Sequence, residues 1–214
     1  MATEPETQQT SPEQAIQEEY KLWRQNCPQM YDFINETALV WPSLTVQWLP
    51  DPMTVDHSIG GVAQRLIIGT HTSGEDTNYL KIATTVVPKT IIPREEDDEE
   101  DDDKGKEDED IEVTNDAKDA EKIKQNARLK VKRKFEHNLE VNRARYNPLK
   151  PNQVATINGE GDVYLYEIDG SKTQTPVHLK HHTANGYGLS WNPFIDGKLL
   201  TSSDDSTVAL WNVN

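Results

Sequence analysis

The chain has 214 residues, 34% of them apolar, and its 37 acidic against 22 basic side chains give a formal net charge of −15. That balance disfavours phosphate backbones as a main partner, so no sequence-specific nucleic-acid binding is expected. A single cysteine, Cys27, excludes a disulfide within the chain and fits a reducing compartment, while the absence of a bilayer-length apolar run or a secretion signal in MATEPETQQT points away from a membrane and towards nucleus and cytoplasm.

Residues 1–10 are polar and are expected to be disordered. From Ser11 the sequence SPEQAIQEEYKLWRQNC predicts a helix: Ser11 suits the N-cap, Pro12 the first position, and Gln14 completes a capping box, with Pro28 as the stop. Ile16, Tyr20, Trp23 and Cys27 form one apolar stripe, which is expected to be buried. The helix and the segment after it, Gln29-Met30-Tyr31-Asp32-Phe33-Ile34, make up 11–34, and carry more large apolar residues than one face can hide. Such a surplus suits a partner helix.

Strands are then expected at Leu44 to Trp48, Arg65 to Thr70 and Tyr79 to Val86, within a first β unit at 35–87. Next comes EEDDEEDDDKGKEDED, Glu95 to Asp110, with thirteen carboxylates against two lysines. Like charges repel and bury nothing, so 88–126 reads as a disordered insertion. In ARLKVKRKF, residues Leu129, Val131 and Phe135 suggest one alternating strand that closes the first unit, with its cations on the wet face.

A repeat follows. His137 to Ile168 matches His182 to Val213 at a constant offset of forty-five: His137 on His182, Tyr146-Asn147-Pro148 on Trp191-Asn192-Pro193, Thr156 on Thr201, and Tyr166 on Trp211. This period, with alternating Val, Tyr, Trp and Thr and turns of Asn-Pro and Asp-Gly type, is that of four-stranded propeller blades. The second blade has strands at Val141 to Tyr146, Gln153 to Asn158 and Asp162 to Ile168, with Gln174 to Lys180 outside. It shares 127–180 with the outer strand of the first, and the third, incomplete blade is 181–214, with strands at Gly186 to Trp191, Lys198 to Ser203 and Thr207 to Val213. The class is therefore all-β, a β-propeller with an N-terminal helix on its side, and three blades cannot close a ring.

The final stretch SSDDSTVALWNV holds serines and aspartates twenty residues after His181-His182 and raises the possibility of a hydrolase triad. Pattern S-x-D-x-T-V-x-L-W after a His, however, resembles the WD repeat, whose His182, Thr201, Asp205 and Trp211 would form a structural network. No catalytic residue, metal site or cofactor is expected: the chain lacks a Cys cluster, an HExxH motif and a phosphate-binding glycine loop.

EEYKLWRQNCPQMYDFI, WPSLTVQWLP, LIIGTHTSGE, EVNRARYNP and GYGLSWNP, in that order, closely resemble the histone-binding WD-repeat family, which includes retinoblastoma-binding histone chaperones, the chromatin assembly factor small subunit and type B histone acetyltransferase subunit 2. The resemblance implies a seven-bladed propeller of which this chain holds the first three blades, and a non-enzymatic scaffold for histones three and four that works with an acetyltransferase catalytic subunit or other chromatin-complex subunits. It further implies a groove for a histone-four helix at Asn26, Gln29, Met30 and Ile34, and a top face receiving a basic tail at Glu75, Glu140, Asn142, Asn185 and Tyr187. Val40 and Asn185 stand where family members often carry an acid. A WD-repeat scaffold for a non-histone partner is the alternative; phosphorylated cargo would need cations on that face, where Arg143 and Arg145 are the candidates.

Overall fold

The computed structural model describes residues 11–31, 33–51, 54–56, 61–88, 127–170 and 175–214. The expected disordered terminus, the acidic insertion after Pro88, and Gln174 of the expected outer strand lie outside those residues. The helix, with the chain as far as Glu36, forms one compact unit, and the sheets form another.

Helix α1 spans Pro12–Met30 and begins as its sequence dictates. Gln14 N–H donates to Ser11 Oγ at 3.3 Å while Ser11 N–H donates to Gln14 Oε1 at 3.1 Å, so two orphan donors are satisfied reciprocally. The helix runs past Pro28, contrary to the expected stop. A proline leaves only the carbonyl four residues before it without an N–H, and Tyr31 N–H still reaches Cys27 O at 2.9 Å to close the last turn. Of the apolar stripe only Cys27 is buried; Ile16, Tyr20 and Trp23 are 65%, 43% and 38% exposed. Tyr20 and Trp23 instead stack on each other at 5.8 Å, and Tyr20 and Arg24 both bond the Glu36 carboxylate.

Twelve described strands form three antiparallel sheets. The first contains β1 (Val46–Trp48), β2 (Thr54–Asp56), β3 (Gly61–Ile68), β4 (Asn78–Pro88) and β5 (Lys130–His137), in the order β1-β3-β4-β5 with β2 also on β3. The second contains β6 (Arg143–Asn147), β7 (Lys150–Ile157), β8 (Val163–Glu167) and β9 (Val177–Leu179), and the third β10 (Gly186–Trp191), β11 (Lys198–Ser203) and β12 (Val208–Asn212), each in chain order. The short β2 was not expected; three residues of TVD carry too little pattern to register as a strand.

Alternation along each strand feeds two interfaces. On β7, Val154 joins Ile67, Leu80 and Ile82 of the first sheet, whereas its neighbour Ala155 joins Leu189, Trp191 and Leu199 of the third. The second sheet is thus buried on both faces, which is the radial stacking of blades. Each fully buried aliphatic side chain here contributes roughly 1.5–3 kcal/mol. Tyr146 and Trp191 hold equivalent posts: Tyr146 packs on the cluster between sheets one and two, and Trp191 on that between two and three, where its indole N–H donates to Arg145 O at 2.9 Å.

The expected alternation in β5 fails at one point. Arg133 pairs with Ile82 and Val131 with Ala83, so Lys132 is an extra residue, a β-bulge. Phe135 consequently faces the second sheet, while Leu129 packs on the opposite face with Leu66, Ile68 and Ala83. Arg133 is not on a wet face either. Its guanidinium donates to the carbonyls of Ile168 and Gly170 and lies 5.2 Å from the Phe135 ring.

Candidate functional site

In antiparallel blades, the turns between second and third strands share one end with the connections that lead into the next blade. Here those are residues 69–77, 158–162 and 204–207, together with 138–142 and 180–185. Backbone bonds tie them across sheets: Val141 N–H donates to Thr70 O at 3.1 Å and Gly186 N–H to Asn158 O at 3.0 Å. Asn138 O accepts from Asn158 Nδ2 at 2.9 Å, and Leu139 takes a left-handed φ of 59° held by His137 Nδ1–H donating to its carbonyl at 3.0 Å. This rigid turn delivers Glu140.

Glu140 is half-buried and its carboxylate lies over Gly159, where a Cβ would collide with it and would stand 3.2 Å from Asn185 Oδ1. The structure therefore brings Glu140 and Asn185 to one spot. Tyr187 is 48% exposed beside it at the start of β10. Asn142 differs: it is 7% exposed and its Nδ2 donates to Gly186 O at 3.0 Å, so part of its hydrogen-bonding capacity fastens sheet two to sheet three. Glu75 is exposed in the first blade's turn, next to Asp76, whose carboxylate accepts from Trp41 Nε1 at 3.2 Å. Arg143 is exposed at the start of β6. Arg145 turns into the stack, donating to Thr45 Oγ1 at 3.2 Å and Ala144 O at 2.7 Å.

Two acids at this end escaped the sequence reading, Glu160 in the 158–162 turn and the exposed Asp204. Their signal was their place in the repeat, between second and third strands.

His182, Thr201, Asp205 and Trp211 also meet. Asp205 accepts from Thr183 N–H at 3.0 Å, and from Thr207 through both N–H at 2.8 Å and Oγ1–H at 2.7 Å. These donors, led by the Thr207 hydroxyl, hold the Asp205 carboxyl well below the usual carboxylate range. With the Thr207 proton spent on Asp205, only the His182 Nδ1–H can bridge to Asp205 Oδ2 at 3.1 Å and Thr207 Oγ1 at 2.9 Å. Nε2 then accepts from Thr201 Oγ1–H at 2.8 Å, and Thr201 Oγ1 accepts the Trp211 indole N–H at 2.8 Å. Every polar atom of this network is committed. Ser203 Oγ donates to Ala184 O at 2.8 Å instead of facing a base, and Ser73–His71 at 3.4 Å is an exposed contact without a carboxylate on the ring. Among the described residues the serines, histidines and aspartates do not assemble a nucleophile with an oriented base.

In the earlier copy His137 Nε2 bonds Thr156 Oγ1 at 2.8 Å, but Tyr166 sends its hydroxyl to Glu136 O at 3.1 Å. Burial lowers the pKa of His137 and raises that of Tyr166.

Residues 18–89 match the family of histone-binding protein RBBP4 and its counterpart in the CAF1 complex. Histone acetyltransferase type B subunit 2 of Debaryomyces hansenii is 46% identical over 200 residues, covering 92% of this chain and 42% of the relative. The protein of the same name from Schizosaccharomyces pombe is 40% identical over 211 residues, covering 94% and 44%. The chain belongs to the histone-binding WD-repeat family. It spans less than half the length of these curated relatives. Within this WD-repeat chain the matched segment runs from mid-α1 to the end of β4, and so includes Asn26, Gln29, Met30, Ile34 and Glu75, all exposed. Among solved structures, a chain of "Structure of ctPRC2 in complex with H3K27me3 and H3K27M" has a TM-score of 0.49 at 12% identity, covering 83% of this chain and 27% of that one.

Proposed function

We propose that the chain is part of a non-enzymatic scaffold that holds histones three and four for an acetyltransferase, chromatin-assembly or other chromatin-modifying subunit, in the nucleus and in the cytoplasm. The observation that carries this reading is the convergence of Glu140 and Asn185 over the bare Cα of Gly159, on a turn tied to its neighbours by backbone bonds. Glu75, Glu160 and Asp204, all exposed on the turns between second and third strands, add negative charge to the same end. A carboxylate carried on a rigid turn meets the guanidinium or ammonium of a basic tail with little backbone ordering left to lose. Tyr187 offers the stem of such a residue an aromatic surface. The second contact is the exposed set on α1 and beyond. Asn26 and Met30 lie four residues apart on one helix face with Gln29 beside them, and Ile34 follows, a spacing that suits an amphipathic histone helix.

The test is titration of a labelled histone-three tail peptide. Glu140→Lys is expected to weaken binding at least tenfold, the loss of one charge-assisted contact, and affinity should fall as salt rises. Unchanged binding by Glu140→Lys refutes the top-face assignment.

A further inference from the structure

Arg128, Lys130, Lys132, Arg133 and Lys134 place five cations in seven residues without an acid, inside a chain of net charge −15. They lie on and just before β5, which pairs with β4 alone and forms the outer edge of the first sheet among the described residues. Three cations elsewhere are paired with carboxylates: Arg24 with Glu36, Arg65 with Asp51 and Asp169, Lys150 with Asp196. Arg128, Lys130, Lys132 and Lys134 are exposed and bond no carboxylate among the described residues. The bulge at Lys132 sets Lys130 and Lys134 on opposite faces of the sheet, so the charges form a ridge around the rim and not a row on a plane. Val131, 48% exposed, sits in its middle.

We infer that this ridge docks an extended, Asp/Glu-rich polypeptide segment of a partner protein, one that carries an apolar residue among its acids. Lysine ammoniums are compact, rotatable charges that suit flexible carboxylates. Nucleic acid fits less well. A duplex would meet cations splayed over two faces, and a single strand needs aromatic faces on which to stack its bases. The two rings nearest the ridge already carry cations, Lys134 over Tyr79 at 4.5 Å and Arg133 over Phe135 at 5.2 Å. Val131 adds the apolar contact that an acidic segment with a central Leu would fill and a nucleic acid would leave bare.

The experiment uses the 214-residue chain and three labelled probes of equal charge: an acidic peptide with a central Leu, the same peptide with Gly in its place, and single-stranded DNA. Fluorescence anisotropy is expected to rank them in that order, with the Leu peptide losing about tenfold in affinity to Lys130→Glu/Lys132→Glu, as two exposed ion pairs are each worth several-fold. The milder pair Lys130→Gln/Lys132→Gln, with unchanged circular dichroism, is expected to lose about half as much on a logarithmic scale. Tighter binding of DNA, equal binding of the two peptides, or indifference to both double substitutions would each overturn the inference. So would peptide binding that appears only after deletion of Glu95 to Asp110, since the chain's own acids would then be the occupant.

Discussion

Thr201→Val isolates the hydrogen-bonded network of the third blade. Valine matches threonine in volume, so no cavity forms and the change removes only the hydroxyl. Two bonds are lost at once, from Trp211 Nε1–H and to His182 Nε2, each 2.8 Å long. Thr201 and His182 are 1% and 2% exposed, so water cannot replace the missing oxygen for the histidine, while the half-buried indole recovers part of its loss. An unsatisfied buried group costs about 1–3 kcal/mol and a half-exposed one about 1 kcal/mol, for a total of about 2–4 kcal/mol. At this chain length that is a fall in melting temperature of about 5–15 °C. Ser202→Ala, one residue away and outside the network, is expected to stay within about 0.5 kcal/mol. Urea denaturation followed by tryptophan fluorescence compares the two. If Thr201→Val and Ser202→Ala unfold at the same urea concentration, the network does not brace the blade.

Gly159→Ala and Gly161→Ala should separate binding from folding. At Gly159 the new Cβ meets the movable Glu140 carboxylate, so stability changes by less than about 1 kcal/mol while tail-peptide affinity drops severalfold; at Gly161 it meets Ala184 O at 2.5 Å in a residue with φ +81°, and soluble yield collapses. Arg65→Met leaves Asp51 and Asp169 facing each other's charge without the guanidinium that sits 2.6 Å from each, and is expected to lower stability by about 1.5–3 kcal/mol in chemical denaturation. Acid should act in two stages. His137 has a depressed pKa when folded, so its unfolded form takes up the proton first; stability is whole above about pH 6.5 and declines below it, and His137→Gln flattens that decline. Asp205, also depressed, contributes stability above about pH 4 that is lost on further acidification, a loss that Asp205→Asn removes from a melting-temperature series.

The forty-five-residue period made the second and third sheets legible, down to β10 and β11, whose limits fall where Gly186, Trp191, Lys198 and Ser203 were expected to set them. Periodicity is a local property, and strands whose two faces are both buried still alternate between two cores. What escaped was decided by single residues. One inserted lysine put Leu129 and Phe135 on opposite faces of the sheet, and no hydropathy pattern marks a bulge. Family resemblance places Asn142 on the tail-receiving face; only the approach of Gly186 from the next sheet shows that it is buried. Exposure of Ile16 and Trp23 was equally hidden, since an apolar stripe states what a helix prefers to cover and not what is there to cover it.

β4 and β5 lie side by side although about forty residues separate Pro88 from Lys130. Relative to a four-residue turn, closing so long a gap costs about 2 kcal/mol, and doubling it again only about 0.6 kcal/mol more. Length at this junction is therefore nearly neutral for the scaffold. A fluorescent reporter spliced between Pro88 and Ala127 becomes a practical way to follow the protein in cells without touching the ends of the chain.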